Sequence, residues 1–171
     1  SVTKILNVRP RPTADFTFKN VCEGDTTYFI NQSEDADLYY WKFGDADASY
    51  SKSPKHVFHS SGYSIIYNVC LRAVINQGCA DSICKLDTIY AMPDAAFTYS
   101  INGQAVNFAA KMDSTVLYKW KFGNNDSADT RLVTYNYPTP GVYNACLQVT
   151  STFGCFSKSC VKLTVPCMAS F

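Results

Sequence analysis

The stretch Trp-Lys-Phe-Gly at residues 41–44 occurs a second time at residues 120–123 of this 171-residue chain. The first copy stands in YYWKFGDAD (39–47) and the second in LYKWKFGNND (117–126), so the two are 79 residues apart. A match of four residues can arise by chance. Its meaning depends on whether the flanking sequence keeps the same offset.

The flanking sequence keeps that register along most of the chain. At the offset of 79, the matched pairs include Gly24 with Gly103, Phe29 with Phe108, and Gly62 with Gly141. The offset then falls to 76 because GYSIIYNVCL is three residues longer than GVYNACL; it matches Cys70 with Cys146, Cys79 with Cys155, and Cys84 with Cys160. A period this long, with this many matched positions, predicts a duplicated domain rather than a solenoid unit.

The repeat also predicts where the domains begin and end. We expect a first domain over residues 12–92 and a second over 93–166, each of a size usual for a small β domain. Residues 1–11 are interpreted as the end of a preceding repeat or a linker, and 167–171 as the start of a following repeat.

Composition narrows the function classes. The formal net charge is +1, which gives no electrostatic case for a nucleic-acid partner. No stretch approaches 18 apolar residues, so no membrane span is expected. The charge is uneven, with 6 Lys/Arg against 10 Asp/Glu in residues 12–92 and 6 against 4 in residues 93–166. The two repeats therefore differ in sign, and a mild attraction between neighbours is expected.

Side-chain alternation predicts the fold class. In YNVCLRAVI (67–75) and YNACLQV (143–149) every second residue is apolar or aromatic, the pattern of a strand buried on one side. Each run leads through a short glycine-containing turn to a second β-like run, which predicts a hairpin. Further predicted strands are Phe16–Lys19, Thr26–Asn31, Tyr39–Phe43, Phe97–Ser100, Ala105–Ala109 and Leu117–Phe122. The expected fold is all-β: two tandem immunoglobulin-like antiparallel β-sandwiches.

The hairpin register predicts two disulfides. With hairpin centres at Gln77 and Phe153, Cys70 lies opposite Cys84 and Cys146 opposite Cys160, all pointing outward. Directly opposite residues have Cβ atoms about 4.5–5.5 Å apart, within reach of a disulfide. Zinc is the alternative for eight cysteines, but the spacing is not that of paired Cys-x-x-Cys knuckles and the chain has only two histidines.

Together these motifs resemble the PKD domain, the immunoglobulin-like module named for the polycystic kidney disease protein. WKFGDAD, HVF (56–58), YNVCLRAV and NQGC carry the resemblance in the first repeat; WKFGNND, YNYPTPGVYNACLQV and TFGC carry it in the second. Ala46 and Asn125 stand where the family usually has its second glycine, and Asn124 replaces an aspartate. The cysteine-bearing variants resemble tandem PKD modules of large exported surface proteins in the Bacteroidota.

The resemblance implies an extracellular or cell-surface module without catalysis. Trp41 and Trp120 are expected to fill the two cores, and Gly44 and Gly123 to permit the turn after each strand. His56 is expected to pack beneath that turn, where the second repeat has Tyr135. No cofactor is expected.

Calcium is the one cofactor that the sequence leaves open. Asp45 and Asp47 are the candidate ligands, with Asp35 or Asp37 from a neighbouring loop. A solvated acidic loop is the alternative.

Four cysteines remain after the hairpin pairs. The strand order of an immunoglobulin-like sandwich puts Cys22 at one end of the first domain and Cys79 at the other, about 26 Å apart for a strand of about 8 residues. The end of the first domain that holds Cys22 is expected to face the end of the second domain that holds Cys155. We therefore predict a disulfide between Cys22 and Cys155; a bond from Cys22 to Cys79 is the alternative. Cys79 and Cys167 would lack partners or pair with flanking repeats.

Two function classes remain, because the motifs of hydrolases, metalloproteases and nucleotide-binding enzymes are missing from the sequence. The first is a disulfide-stiffened spacer or adhesion module that contacts the flanking domains of the same protein. The alternative is an accessory module that binds a surface polysaccharide or a protein through exposed aromatic rings. The candidate rings are Tyr39, Tyr50, Phe58, Tyr63 and Tyr118.

Overall fold

The computed structural model of the chain describes residues 10–60, 62–76, 78–111 and 116–167. It divides into two compact units, Ser1–Ala91 (unit 1) and Met92–Phe171 (unit 2). Residues 1–9, Gln77 and residues 168–171, which entered the sequence-based predictions, lie outside the described residues. In the described part of the chain, no helix is long and apolar enough to cross a membrane.

The described residues of unit 1 form nine strands. They are β1 (Phe16–Thr17), β2 (Val21–Cys22), β3 (Thr26–Tyr28), β4 (Ile30–Asn31), β5 (Leu38–Lys42), β6 (Ala48–Ser49), β7 (Lys55–Val57), β8 (Ile65–Val74) and β9 (Ala80–Tyr90). One layer is the sheet β2-β9-β8-β5-β6, and the other holds the antiparallel pairs β1–β4 and β3–β7.

The core of unit 1 lies between these layers. Trp41 on β5 is fully buried, and the rings of Phe16 and Phe29 lie with their centroids 5.0 and 5.7 Å from it. Val69 and Leu71 on β8 are also fully buried, as their alternation predicts. Burying a side chain of this size stabilises the fold by about 1.5–3 kcal/mol, so β8 and β5 contribute strongly to the core.

Unit 2 repeats the plan, with seven strands in the part of it that the structure describes. They are β10 (Phe97–Asn102), β11 (Ala105–Ala110), β12 (Val116–Lys121), β13 (Ser127–Ala128), β14 (Leu132–Asn136), β15 (Gly141–Ser151) and β16 (Phe156–Val165). The sheet β13-β12-β15-β16 faces the sheet β10-β11-β14, with Trp120 and Phe108 in the core between them. The predicted fold class, two tandem immunoglobulin-like β-sandwiches, is confirmed.

Both long hairpins have the predicted register. Cys70 lies opposite Cys84 in the β8–β9 pair, and Cys146 lies opposite Cys160 in the β15–β16 pair. Each pair is joined by a disulfide, with Cα atoms 4.0 Å apart. Cys146 is only 7% exposed although it faces outward, because β15 is an inner strand flanked by β12 and β16.

The structure also departs from the predicted strands. The expected strand over 26–31 is divided at Phe29. Its backbone N–H donates to the carbonyl oxygen of Pro54 in register with the β3–β7 pair, but Pro54 has no N–H with which to extend the ladder. Val21 and Cys22, predicted as loop, form a short strand parallel to the end of β9, opposite Ile89 and Tyr90. Two-residue strands of this kind carry too little alternation to be recognised from sequence.

Candidate functional site

The turn after each Trp-Lys-Phe-Gly stretch depends on its glycine. Gly44 has a φ of +91° and Gly123 a φ of +89°, a region that side chains with a Cβ rarely adopt. A Cβ on Gly44 would lie 3.0 Å from the carbonyl oxygen of Asn68, and one on Gly123 would lie 2.8 Å from the backbone nitrogen of Asn144. The glycines therefore allow both the turn and the close approach of the neighbouring strand.

Ala46 and Asn125 also have positive φ angles, +79° and +74°. Both residues thus hold a left-handed conformation at the positions where the resembled family usually has a second glycine. In both units the turn is closed by a backbone bond, from Phe43 N–H to the Asp47 carbonyl at 3.1 Å and from Phe122 N–H to the Asp126 carbonyl at 3.2 Å.

In unit 1 an aspartate and a histidine connect this turn to β7. Asp45 Oδ2 lies 2.6 Å from His56 Nε2, and Asp45 Oδ1 accepts from the backbone N–H of Asp47 at 3.1 Å. The imidazole stacks on Phe43 with centroids 4.2 Å apart and an interplanar angle of 4°. His56 is therefore held beneath the turn, which is its expected place.

Unit 2 builds the same connection from different groups. The ring of Tyr135 stacks on Phe122 with centroids 4.1 Å apart and an interplanar angle of 6°. Asn124 Nδ2 donates to the Tyr135 hydroxyl at 2.6 Å, and that hydroxyl donates to Asp126 in a short hydrogen bond. The neutral Asn–Tyr contact thus occupies the position of the Asp–His contact in unit 1.

The ionisation of Asp45 follows from these contacts. Partial burial disfavours the charged carboxylate, but hydrogen bonds from His56 and from the Asp47 N–H outweigh it and hold the pKa of Asp45 below its usual value. These contacts thus favour the ionised carboxylate of Asp45. A general base needs a pKa near the working pH, so the lowered pKa of Asp45 does not suit that role.

The same residues are the candidates for a metal. Ligand atoms of Asp45, Asp47 and His56 lie within 4.8 Å of one another. Calcium takes six to eight oxygen ligands, whereas this group offers two carboxylates and an imidazole. Asp37, a predicted further ligand, instead accepts from the backbone N–H of Asn76 at 3.1 Å. Asp35 is not in the group either, so the described side chains do not by themselves make a full calcium site.

The predicted aromatic candidates divide into buried and exposed rings. Phe58 is fully buried, and Tyr39 and Tyr118 are partly buried against the cores of their units. Tyr50 and Tyr63 are 79% and 78% exposed. Of the candidate rings, Phe58 is thus not available to a ligand, because it packs against Phe29, Phe43 and Tyr67.

One aromatic surface was missed by the sequence analysis. The ring of Tyr40 lies 5.2 Å from that of Tyr50, and Lys42 Nζ lies 5.8 Å from the Tyr40 centroid. The two tyrosines and Leu38 line a concavity of about 470 Å³ on the outer face of the sheet. Alternation could have identified it, because Trp41 faces the core and the residue before it must face outward.

The four cysteines outside the hairpin disulfides differ in whether their thiols are free. Cys79 and Cys167 are exposed free thiols, and neither Cys22 nor Cys155 is among the free cysteines. Cys22 lies opposite Tyr90 at one end of β9, and Cys79 immediately precedes the other end. Eleven residues of strand separate them, about 36 Å, so a bond between Cys22 and Cys79 within unit 1 is excluded. The pairing of Cys22 with Cys155 stays a prediction.

The chain is similar to segments of known bacterial proteins. It is 26% identical over 173 residues to the pre-pro-metalloprotease PrtV of Vibrio cholerae serotype O1, a match that covers 95% of this chain and 18% of that protein. The chain thus spans less than a fifth of the length of this relative. The relatives are from Vibrio, and the resemblance to Bacteroidota surface proteins stays an expectation.

The chain is also similar to solved structures. The crystal structure of the PKD1 domain from V. cholerae PrtV has 26% identity and a TM-score of 0.41, and the match covers 43% of this chain and 96% of that one. A structure described as a carbohydrate-binding module from the β-sandwich superfamily has 16% identity and a TM-score of 0.47, with coverage of 85% and 56%.

The profile of the PKD domain matches the chain twice, over residues 9–91 and 88–165. The two matches correspond to the two units and include both Trp-Lys-Phe-Gly turns. The chain therefore belongs to the PKD domain family, of which it contains two tandem copies.

Proposed function

We propose that the chain is a non-catalytic module of a larger exported protein and acts as a spacer outside the cell. The observation that supports this is the comparison of the two units. Both keep the buried tryptophan, the positive-φ glycine and the hairpin disulfide, but Asp45 and His56 become Asn124 and Tyr135. Catalysis depends on particular side chains, whereas a spacer needs only the fold.

The two hairpin disulfides support an extracellular location. Cys70–Cys84 and Cys146–Cys160 join residues that the β ladder already holds opposite each other. Such bonds persist in oxidising compartments and are rare in the cytosol. Flanking domains of the same protein are the partners that a spacer requires.

The spacer is proposed to be stiff because of two features of the sequence. The linker around YAMPD (residues 90–94), where the chain passes from unit 1 to unit 2, is short, and Pro93 restricts its backbone. The predicted Cys22–Cys155 bond would add a covalent connection between the units.

Stiffness can be measured by ¹⁵N relaxation of the oxidised chain. We expect both units of the wild type to share the long rotational correlation time of one 171-residue body, and shorter correlation times in a Cys22→Ser/Cys155→Ser variant. Independent tumbling of the units in the oxidised wild type would contradict the proposal. A matched Cys79→Ser/Cys167→Ser variant, which removes two free thiols, should behave as the wild type does.

The Tyr40–Tyr50 surface favours a second function, binding of a polysaccharide or protein. The paired rings and Leu38, which is 57% exposed, provide an apolar surface on which a sugar ring can stack. The test is a binding screen on immobilised polysaccharides with Tyr40→Ala and Tyr50→Ala variants. Tyr63→Ala is the matched control, because Tyr63 is equally exposed. Equal binding by all variants would rule this surface out.

A further inference from the structure

Four lysines lie on the outer face of the four-stranded sheet of unit 2. Lys119 and Lys121 are on β12, and Lys158 and Lys162 are on β16; all four are exposed. Trp120, between the first two, is fully buried, so the lysines on either side of it face outward. We call these four residues the lysine face.

The register places the lysines on both sides of the central strand. Lys119 and Lys158 lie opposite the same residue of β15, Gln148, one from each neighbouring strand. Strands lie about 4.8 Å apart and residues two apart on a strand about 6.8 Å, so the backbone of Lys119 lies roughly 7 Å from that of Lys121 and roughly 10 Å from that of Lys158. Lys162 lies four residues farther along β16 than Lys158, roughly 14 Å away. One depression on this face is lined by Lys119, Lys121, Lys158, Cys146 and Gln148.

The positive charge of this face is not neutralised by its own surroundings. β12, β15 and β16 contain no Asp or Glu, and the four lysines make no ion pair within the described part of the chain. Asp129, which follows the edge strand β13, lines a concavity with Lys119. Four of the six Lys/Arg of residues 93–166 are thus gathered on one surface.

The fold does not require three of these four charges. The positions equivalent to Lys119, Lys158 and Lys162 in unit 1 hold Tyr40, Ser82 and Leu86, on the same face of the same kind of sheet. The fourth, Lys121, is matched by Lys42 in the repeated Trp-Lys-Phe-Gly stretch. The sandwich therefore forms with uncharged residues at three of the positions, and the charges of Lys119, Lys158 and Lys162 belong to the surface of unit 2 and not to its folding.

We propose that the lysine face binds an acidic polysaccharide, a chain that carries carboxylate or sulfate groups. Lysine ammonium groups on flexible stems suit anionic groups of varied spacing, while the planar fork that arginine offers to phosphate is missing from these three strands. The Cys146–Cys160 disulfide on the same face suits a compartment outside the cytosol. Next to Lys158 along the face, Phe156 is 56% exposed and offers a ring for stacking. This inference is independent of the spacer role.

The test is binding of the oxidised full chain to defined polymers, measured by affinity electrophoresis and calorimetry. The probes are polygalacturonate for carboxylate, dextran sulfate for sulfate, neutral dextran, and an oligothymidylate for nucleic acid. We expect binding to at least one acidic polysaccharide and not to dextran, with an affinity that falls as salt rises. The tighter of the two acidic probes identifies the anionic group.

Variants then locate the site. Lys119→Gln/Lys121→Gln/Lys158→Gln should weaken binding about tenfold or more, since three charge contacts are lost. The matched control Lys19→Gln/Lys55→Gln/Arg131→Gln removes the same charge from other exposed positions and should change affinity by less than about twofold. A second variant, Lys119→Tyr/Lys158→Ser, introduces residues that unit 1 already accommodates and guards against misfolding; it too should weaken binding.

Three outcomes would overturn the proposal. The first is that wild type binds neither acidic polysaccharide. The second is an equal loss in the control variant, which would attribute binding to net charge alone. The third is that the oligothymidylate binds as tightly as the better polysaccharide, which would assign the face to nucleic acid.

Discussion

Asp87 and Leu163 occupy the same position in the two units. Asp87 lies opposite Tyr67 in the β8–β9 pair, and Leu163 lies opposite Tyr143 in the β15–β16 pair; both side chains are buried. Neither carboxylate oxygen of Asp87 has a hydrogen-bond partner in the described residues, so unit 1 has a buried carboxyl where unit 2 has an aliphatic side chain.

Replacing Asp87 is expected to stabilise unit 1 in a pH-dependent way. Burial raises the pKa of Asp87 to about 6, and the nearby Thr27 hydroxyl offsets only part of the rise because it does not reach hydrogen-bond geometry. The folded state therefore binds a proton that the unfolded state releases near pH 3.8, and stability falls as pH rises from about 4 to 6. The full cost is about 3 kcal/mol above this window.

The measurement is thermal unfolding of wild type and Asp87→Leu from pH 4 to pH 8. The variant should gain little at pH 4 and several degrees in Tm at pH 7. Asp25→Leu, at an exposed position, is the control and should show no such pH-dependent gain. A gain that does not change with pH would mean that Asp87 stays neutral or finds a partner throughout this range.

Gly44 is expected to tolerate substitution less well than Gly24. Both have positive φ, so alanine at either site costs about 1–2 kcal/mol of backbone strain. At Gly44 the new Cβ would also lie 3.0 Å from the Asn68 carbonyl oxygen, whereas nothing lies within 4 Å at Gly24. Overpacking of this kind adds about 1–3 kcal/mol. Urea unfolding of the two variants measures the difference; equal losses would show that Asn68 can move.

Asp45 and His56 are expected to be energetically coupled. Their 2.6 Å contact includes a charged acceptor, for which hydrogen bonds contribute about 1.5–3 kcal/mol. A double-mutant cycle with Asp45→Ala and His56→Ala should therefore give a coupling energy of about 1 kcal/mol or more at neutral pH. Because the pKa of Asp45 is lowered, the coupling should disappear as pH falls below 3.8 through the folded-state pKa.

The control cycle pairs Asp45→Ala with His59→Ala. His59 is exposed, and the contact described for it is through its backbone carbonyl, which accepts from the Tyr67 hydroxyl. These two substitutions should be additive. A coupling of similar size in both cycles would assign the effect to the unfolded state and not to the hydrogen bond.

Part of this structure could be predicted from the sequence because strand alternation has a strict period. The opposition of Cys70 and Cys84 follows from the hairpin centre and from the apolar face of β8, and the repeat supplies the same argument for Cys146 and Cys160. The same alternation was not applied to β5. Because Trp41 faces the core, it would have placed Tyr40, and not Tyr39, on the outer face.

Other features depend on pairings that no local pattern encodes. The family resemblance placed His56 beneath the turn, but its 2.6 Å contact with Asp45, eleven residues earlier, was not predicted. The burial of Asp87 contradicts its polarity, and only the equivalent Leu163 in the second repeat indicates that the position faces inward. The lysine face becomes visible when two strands 40 residues apart are placed around β15.

The cysteine pattern yields the last prediction. Mass spectrometry of peptides from unreduced protein should find Cys70 linked to Cys84 and Cys146 linked to Cys160, and alkylation before reduction should label Cys79 and Cys167. The predicted further peptide links Cys22 to Cys155. Alkylation of a Cys79→Ser/Cys167→Ser variant is the control and should leave no labelled cysteine.

A peptide linking Cys22 to Cys79 would contradict the structure itself and not only the pairing. The two residues lie at opposite ends of β9, and its 11 residues extend about 36 Å, far beyond the 4.4–6.8 Å that separates the Cα atoms of bonded cysteines. Such a bond would require β2 to leave the edge of β9, where Val21 and Cys22 pair with Ile89 and Tyr90. Each unit would then be closed separately, and the proposed stiffening would have no covalent basis.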